Sequence, residues 1–137
     1  MPSTRSEDMM TLPHSRGQVQ HVELGCRDDG TFTSMRIRLL GDAGSYPTIG
    51  AYLPGGTRRM AQGTYAFDGI ECDIAVAVTN TTSMGAYRGA GRPEATAMLE
   101  RAVDQAALEL GIDPIEIRKR NLLGDDVFPF TSITGNT

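Results

Sequence analysis

The stretch Thr79-Asn80-Thr81-Thr82-Ser83-Met84-Gly85-Ala86-Tyr87-Arg88-Gly89-Ala90-Gly91-Arg92-Pro93-Glu94 sets how the rest of the chain is read. It joins an alternating apolar run to the longest helical pattern in the sequence. Gly85, Gly89 and Gly91 give it turns, and Arg88 and Arg92 give it positive charge. Pro93 fixes φ near a helical value at a first-turn position, where a missing N–H costs nothing. A glycine-rich turn entering a helix presents backbone N–H groups and the positive dipole end to its surroundings. With arginines alongside, the expected ligand is an anion or an oxygen-rich cofactor.

Downstream, Ala95, Met98, Leu99, Ala102, Val103, Ala106, Ala107 and Leu110 recur at helical spacing, predicting a helix from Pro93 to Leu110 that stops at Gly111. Glu94, Glu100, Arg101, Asp104, Gln105 and Glu109 are expected on its water side. Asp113-Pro114-Ile115-Glu116 then opens a second helix, reaching about Leu122, with a capping residue, a proline at the first position and a glutamate three residues after the cap. Gly124 to Thr137 is expected as loop.

Upstream, Glu71 to Thr79 alternates as a strand, with Ile70, Cys72, Ile74, Val76 and Val78 on one apolar face. Val19 to Cys26 and Thr31 to Leu40 form a hairpin about Arg27-Asp28-Asp29-Gly30, since Asp-Gly supplies the positive φ of a tight turn. Met35, Ile37 and Leu39 face inward, and Arg36 and Arg38 outward. Gly41 to Gly56 reads as a long loop, functional or packed against another element. Thr57 to Gly63 reads as a short helical turn, and Met1 to Gly17 as irregular. Asn80 is expected to tie its turn through its side chain. The class is α+β: an antiparallel hairpin plus a third strand, packed with two C-terminal helices. Such a sheet is thin for independent folding, so residues 1–137 are expected to be one incomplete domain of something larger.

Composition narrows the function. Of 137 residues 39% are hydrophobic, and the 16 glycines bring the broader apolar share to about half, the globular norm. Net charge is −4, which argues against a general nucleic-acid binder. Lys119 is the one lysine among 13 basic residues. That bias favours planar contacts to carboxylate, phosphate or oxo groups, and a GC-rich genome explains it equally well. Cys26 and Cys72 form no CxxC pattern and read as buried thiols of a cytoplasmic protein. His14 and His21 have no metal-ligand spacing with a carboxylate, so no metal-ligating side chain is assigned. No apolar run approaches the roughly 18 residues of a membrane span.

At Gly85-Ala86-Tyr87-Arg88-Gly89-Ala90-Gly91-Arg92-Pro93-Glu94-Ala95 the sequence resembles the cofactor loop of molybdenum hydroxylase large subunits, the family of xanthine dehydrogenase, aldehyde oxidase and the carbon monoxide dehydrogenase large chain. Further matches follow in order: Thr4-Arg5-Ser6-Glu7-Asp8-Met9, Arg16-Gly17-Gln18, Asp42-Ala43-Gly44, Arg58-Arg59-Met60-Ala61, Val78-Thr79-Asn80-Thr81 and Ile117-Arg118-Lys119-Arg120-Asn121-Leu122. The resemblance implies a fragment of a molybdopterin-binding domain. Its chemistry would be hydroxylation of a carbon centre, in an aldehyde, heterocycle or similar substrate, with water as oxygen source.

The same resemblance implies site residues. Tyr87, Arg88 and Gly89 would lie against the molybdenum end of the molybdenum–molybdopterin cofactor, for which the cytosine dinucleotide is one form. For Arg88 the competing reading is a salt bridge across the loop. Ala90 stands where the purine and aldehyde enzymes carry an aromatic residue that stacks on substrate, and alanine cannot stack. Gly89 stands where carbon monoxide dehydrogenases carry a copper-binding cysteine, and glycine has no thiolate. Arg58 or Arg59 answers to a substrate-polarising arginine at a different spacing; Arg59 and Ala90 are the substrate-side candidates, against a surface salt bridge for the arginine. Arg92 reads as structural, and Glu94 as a helix N-terminal charge.

The family's general base is a glutamate outside this sequence, so no catalytic residue is assigned and the chain alone is expected to be inactive. Implied partners are an Fe–S small subunit, an FAD medium subunit and the remaining large-subunit segments. The alternatives are a non-enzymatic scaffold or assembly piece, and a generic anion-binding α+β module.

Overall fold

The computed structural model of the chain describes residues 2–135. The chain runs through α1 (Arg5–Thr11), β1 (Gln18–Cys26), β2 (Phe32–Gly44), a 3-10 turn (Ile49–Tyr52), α2 (Leu53–Met60), β3 (Gly69–Val78), α3 (Arg92–Leu110) and α4 (Pro114–Asn121). The class is α+β, as the sequence implies. The sheet order is β1-β2-β3, with β1 antiparallel to β2 and β2 parallel to β3. The Asp-Gly turn forces the antiparallel pair, with Gly30 at φ 84° and its N–H donating to the Arg27 carbonyl at 2.8 Å. The longer β2–β3 connection carries α2 across the sheet, which lets β3 run parallel.

One sheet face carries the core. Phe32, Met35, Ile37 and Leu39 of β2 pack with Ala61 and Tyr65 after α2, Met98, Leu99, Val103 and Ala107 of α3, and Ile117 of α4. Phe32 stacks on Phe67 and meets Tyr65 edge-on at 5.7 Å. Asn121 is buried and closes the assembly. Its Oδ1 accepts from the Phe32 N–H at 2.7 Å, and its Nδ2 donates to the carbonyls of Gly30 and Ile117 at 2.8 Å each. The hairpin turn is thereby fastened to α4. On the opposite face Arg36 bridges Glu23 and Glu71 across all three strands, in solvent.

Both C-terminal helices end as their sequences dictate. Gly111 caps α3 in the left-handed region at φ 66°, and the Asp113 side chain accepts from the N–H groups of Ile115 and Glu116. Arg118 of α4 reaches Glu100 and Asp104 of α3 at 2.8 Å each. Glu100 also accepts from the Tyr65 hydroxyl at 3.0 Å; burial and this carboxylate push the tyrosine up to about 12. Glu100 is therefore half-covered by partners rather than free in water.

Five expectations are corrected. Met1 to Gly17 is not wholly irregular: Thr4 and Glu7 form a capping box that starts α1, a helix with no buried residue and so no apolar period. Gly41 to Gly56 is not a loop: it is the end of β2, a 3-10 turn and the start of α2. Its glycines and prolines mimic loop punctuation while serving close packing. The apolar face of β3 is only part-covered, since Ile70 and Cys72 pack on the core while Ile74, Val76 and Val78 are 37%, 39% and 63% exposed. Cys26 and Cys72 are free and half-buried, with burial pushing the Cys72 thiol up. The tail from Gly124 holds a 3-10 turn and folds back on α2, where the Ile133 N–H donates to Gln62 Oε1 at 2.7 Å; Met1, Asn136 and Thr137 lie outside the described residues.

Candidate functional site

The loop after β3 is held from both ends. At its start Asp42 acts as a latch: Oδ1 accepts from the Gly44 N–H and the Thr79 hydroxyl, both at 2.8 Å, and Oδ2 accepts from the Thr81 hydroxyl at 3.0 Å. Those bonds hold the Asp42 carboxyl below the usual carboxylate range. Asn80 is exposed, and Asp42 rather than Asn80 ties this turn. The N–H of Met84 donates to the Ala43 carbonyl at 3.3 Å, and that of Gly85 to the His14 carbonyl at 2.6 Å.

The far side of the loop sits on α2. A Cβ on Gly56 would stand 2.5 Å from the Ala90 carbonyl oxygen, and one on Gly91 would stand 2.6 Å from the Thr57 nitrogen. The two backbones meet closer than any side chain permits. Between these supports the crest is tight: the Ala90 N–H donates to the Tyr87 carbonyl at 2.8 Å and the Arg92 N–H to the Gly89 carbonyl at 3.0 Å. Gly89 lies at φ 96°.

Arg16 underpins the crest. Its Nη1 donates to Glu94 Oε2 at 2.9 Å, its Nη2 to the Arg88 carbonyl at 2.8 Å, and its guanidinium lies 5.3 Å from the Tyr87 ring centroid. Its own backbone is at φ 73°, a left-handed conformation rare for a side chain of this size. Glu94, expected on the water side of the helix, is instead buried against Arg16. The ion pair considered for Arg88 is thus made by Arg16, and Arg88 enters no salt bridge among the described residues. Arg16 and Asp42 stand in quoted motifs, yet their supporting roles were missed. The short-range signal for Asp42 was its position two residues before a glycine, the spacing of a side chain that bonds a nearby backbone N–H.

Tyr87 is 67% exposed at the crest, beside the exposed Arg88 and the half-buried Gly89. The backbone N–H groups of Ala86, Tyr87, Arg88 and Gly89 have no acceptor among the described residues. Four successive free donors with an unpaired guanidinium suit an oxygen-rich anionic group. Ala90 and Arg59 come together elsewhere, on a cleft of about 270 Å³ lined also by Gly56, Met60 and Arg92. A larger groove on the outer sheet face is lined by Glu23, Arg36 and Glu71, whose charges already satisfy one another. Among the described residues no three His, Cys, Asp or Glu side chains group to hold a metal ion, and no helix is long and apolar enough to cross a membrane.

Residues 1–122 match the family model described as a molybdopterin cofactor-binding domain. The 6-hydroxypseudooxynicotine dehydrogenase complex subunit gamma of Paenarthrobacter nicotinovorans is 31% identical, over 93% of this chain and 16% of its own length. The carbon monoxide dehydrogenase large chain of Hydrogenophaga pseudoflava is 30% identical, over 96% of this chain and 17% of its own. The crystal structure of quinoline 2-oxidoreductase from Pseudomonas putida 86 superposes with a TM-score of 0.89 at 29% identity, covering 97% of this chain and 17% of that one. The chain therefore spans about a sixth of the length of these relatives.

Proposed function

The chain belongs to the molybdopterin cofactor-binding domain family, and on that premise we propose that it is a segment of the large subunit of a molybdenum-dependent oxidoreductase. The observation that carries the reading is the run of N–H groups from Ala86 to Gly89 beside the Arg88 guanidinium, all without partners among the described residues. These donors suit the oxo and phosphate oxygens of a molybdenum–molybdopterin group, its cytosine dinucleotide form included. When bound, that group supplies two-electron redox chemistry for hydroxylating a carbon centre with oxygen from water.

What this chain contributes is placement. Tyr87, Arg88 and Gly89 would hold the metal end of the group, and Arg88 would supply a fixed positive charge beside it. Arg16 keeps Tyr87 and the Arg88 carbonyl in place. Gly89 brings no thiolate, so copper chemistry of the carbon monoxide dehydrogenase kind has no ligand at this position. Ala90 leaves the substrate side open where an aromatic residue would stack. Residues 1–137 are then one part of a larger domain, working in the cytoplasm with an Fe–S chain, a flavin chain and the remaining large-subunit segments.

The test is expression of the chain alone and with its genomic neighbours, with molybdenum measured by mass spectrometry and turnover by dye reduction. The chain alone is expected to hold little molybdenum and to reduce no dye. Stoichiometric molybdenum with turnover in the isolated chain overturns the fragment reading. In the complex, Arg88→Ala is expected to lower molybdenum content by about tenfold, the loss of one charge-assisted contact. Unchanged content overturns the role of Arg88, and phosphate binding at Arg88 in a complex free of molybdenum favours a generic anion module.

A further inference from the structure

Two arginines beside the loop line one cleft. Arg59 comes from the last turn of α2 and Arg92 opens α3, and both line the 270 Å³ space that Ala90, Met60 and Gly56 complete. Among the described residues no Asp or Glu lines that space, and neither guanidinium enters an ion pair. The acidic residue nearest in sequence, Glu94, is turned to Arg16 instead. The start of α3 adds to the same sign, because its N-cap is Gly91 and no side chain caps the helix. The remaining lining is uncharged: the Ala90 methyl, Met60 and the backbone of Gly56.

Two arginines lining one cleft beside uncharged, partly apolar residues select a ligand with a planar anionic end and an apolar body. We propose that this cleft binds the carboxylate of an organic acid, held between Arg59 and Arg92, and that the substrate of the site is such an acid. The second half of this rests on the reading of the adjoining loop as the one that faces the cofactor. Alanine at position 90 matters to it: the absence of a ring there leaves the cleft open toward the loop, and the arginines supply by charge the hold that stacking would otherwise provide.

The probe is benzoate, with benzamide as its neutral counterpart and inorganic phosphate as a bare anion. The protein is purified from its host with whatever chains accompany it. Arginine modification by phenylglyoxal is mapped residue by residue by mass spectrometry. Benzoate is expected to slow modification of Arg59 and Arg92 by about tenfold while leaving the exposed Arg38 unchanged, benzamide to protect neither, and phosphate to protect weakly. Calorimetry should show benzoate affinity falling by about tenfold in Arg59→Gln and again in Arg92→Gln. Equal protection by benzoate and benzamide, or no loss of affinity in the variants, overturns the proposal. Protection by phosphate equal to that by benzoate overturns the organic-acid identity. Molybdenum content is measured on the same samples, so the two readings fail separately. Full molybdenum without protection leaves the function and removes the cleft, whereas protection in the assembled complex without molybdenum leaves the cleft and removes the function.

Discussion

Arg16 shows what a single residue does here. One guanidinium meets a buried carboxylate, a backbone carbonyl of the crest and the face of Tyr87. Removing it strands Glu94, whose side chain is 6% exposed, while Arg16 itself is a third exposed, so the cost falls below that of a fully buried pair. Arg16→Ala is expected to destabilise by about 2 kcal/mol, to speed hydrogen exchange at Ala90 and Arg92, whose N–H groups close the crest, and to be partly rescued by Glu94→Gln. Unchanged exchange at the crest would show that Arg16 does not hold it. Asp42 gives a pH-dependent counterpart. Its carboxyl is lowered in the folded state, so its contribution is complete above about pH 4 and is lost as pH falls through the lowered folded value. Exchange protection of Gly44, corrected for intrinsic rates, should therefore hold down to about pH 4 and fall below it in the wild type, and be low and flat in Asp42→Asn. Asp42 carries a local signal, its place two residues before Gly44, but the role of Arg16 is not legible in the sequence. Arg16 and Glu94 are 78 positions apart, and the left-handed backbone of Arg16 leaves no mark on composition. Tyr87 and Arg88 were legible as candidates because their glycine-flanked motif is local.

At the scale of elements, local chemistry governed what could be read. The hairpin, α3 and α4 carry turn residues, caps and apolar periods in their own sequences, and their expected bounds agree with the fold to within a few residues. The α2 region does not, because close packing between backbones selects the same residues that loops use. The adjacent glycines of Leu-Pro-Gly-Gly-Thr separate the two causes. A Cβ on Gly55 meets nothing within 4 Å, whereas one on Gly56 meets the Ala90 carbonyl oxygen at 2.5 Å. Gly55→Ala is expected to stabilise by about 0.5–1 kcal/mol through helix propensity and a less flexible unfolded chain. Gly56→Ala is expected to cost about 1–3 kcal/mol, as overpacking does, and to shift the crest away from α2. Denaturant midpoints of the two variants in parallel check this, and equal midpoints would mean that the loop does not rest on α2.

At the scale of the molecule, the helices are fewer than the sheet needs. α3 lies along β1 and packs its apolar stripe on the β2 side chains of the core, and α2 reaches β2 and β3. This leaves Ile74, Val76 and Val78 exposed on β3, at an open edge of the sheet. The alternation of that strand was plain in the sequence, but an apolar face does not say whether its cover lies in the same polypeptide. The relatives, about six times longer, have other segments available to cover it. An exposed apolar strip along a free strand edge is a template for pairing with another strand. The chain expressed alone should therefore self-associate, with its weight-average mass by size exclusion and light scattering rising across about 5–200 μM, a range that brackets weak associations of a few kcal/mol. Val76→Lys places a charge on that edge and is expected to lower the association by at least about tenfold without altering the helical circular dichroism signal. Leu108→Lys is the control: Leu108 is 75% exposed on α3, away from β3, and its replacement should leave the association unchanged. A wild-type chain that stays monomeric over the range, or equal effects of the two lysines, would mean that β3 is not the surface awaiting cover.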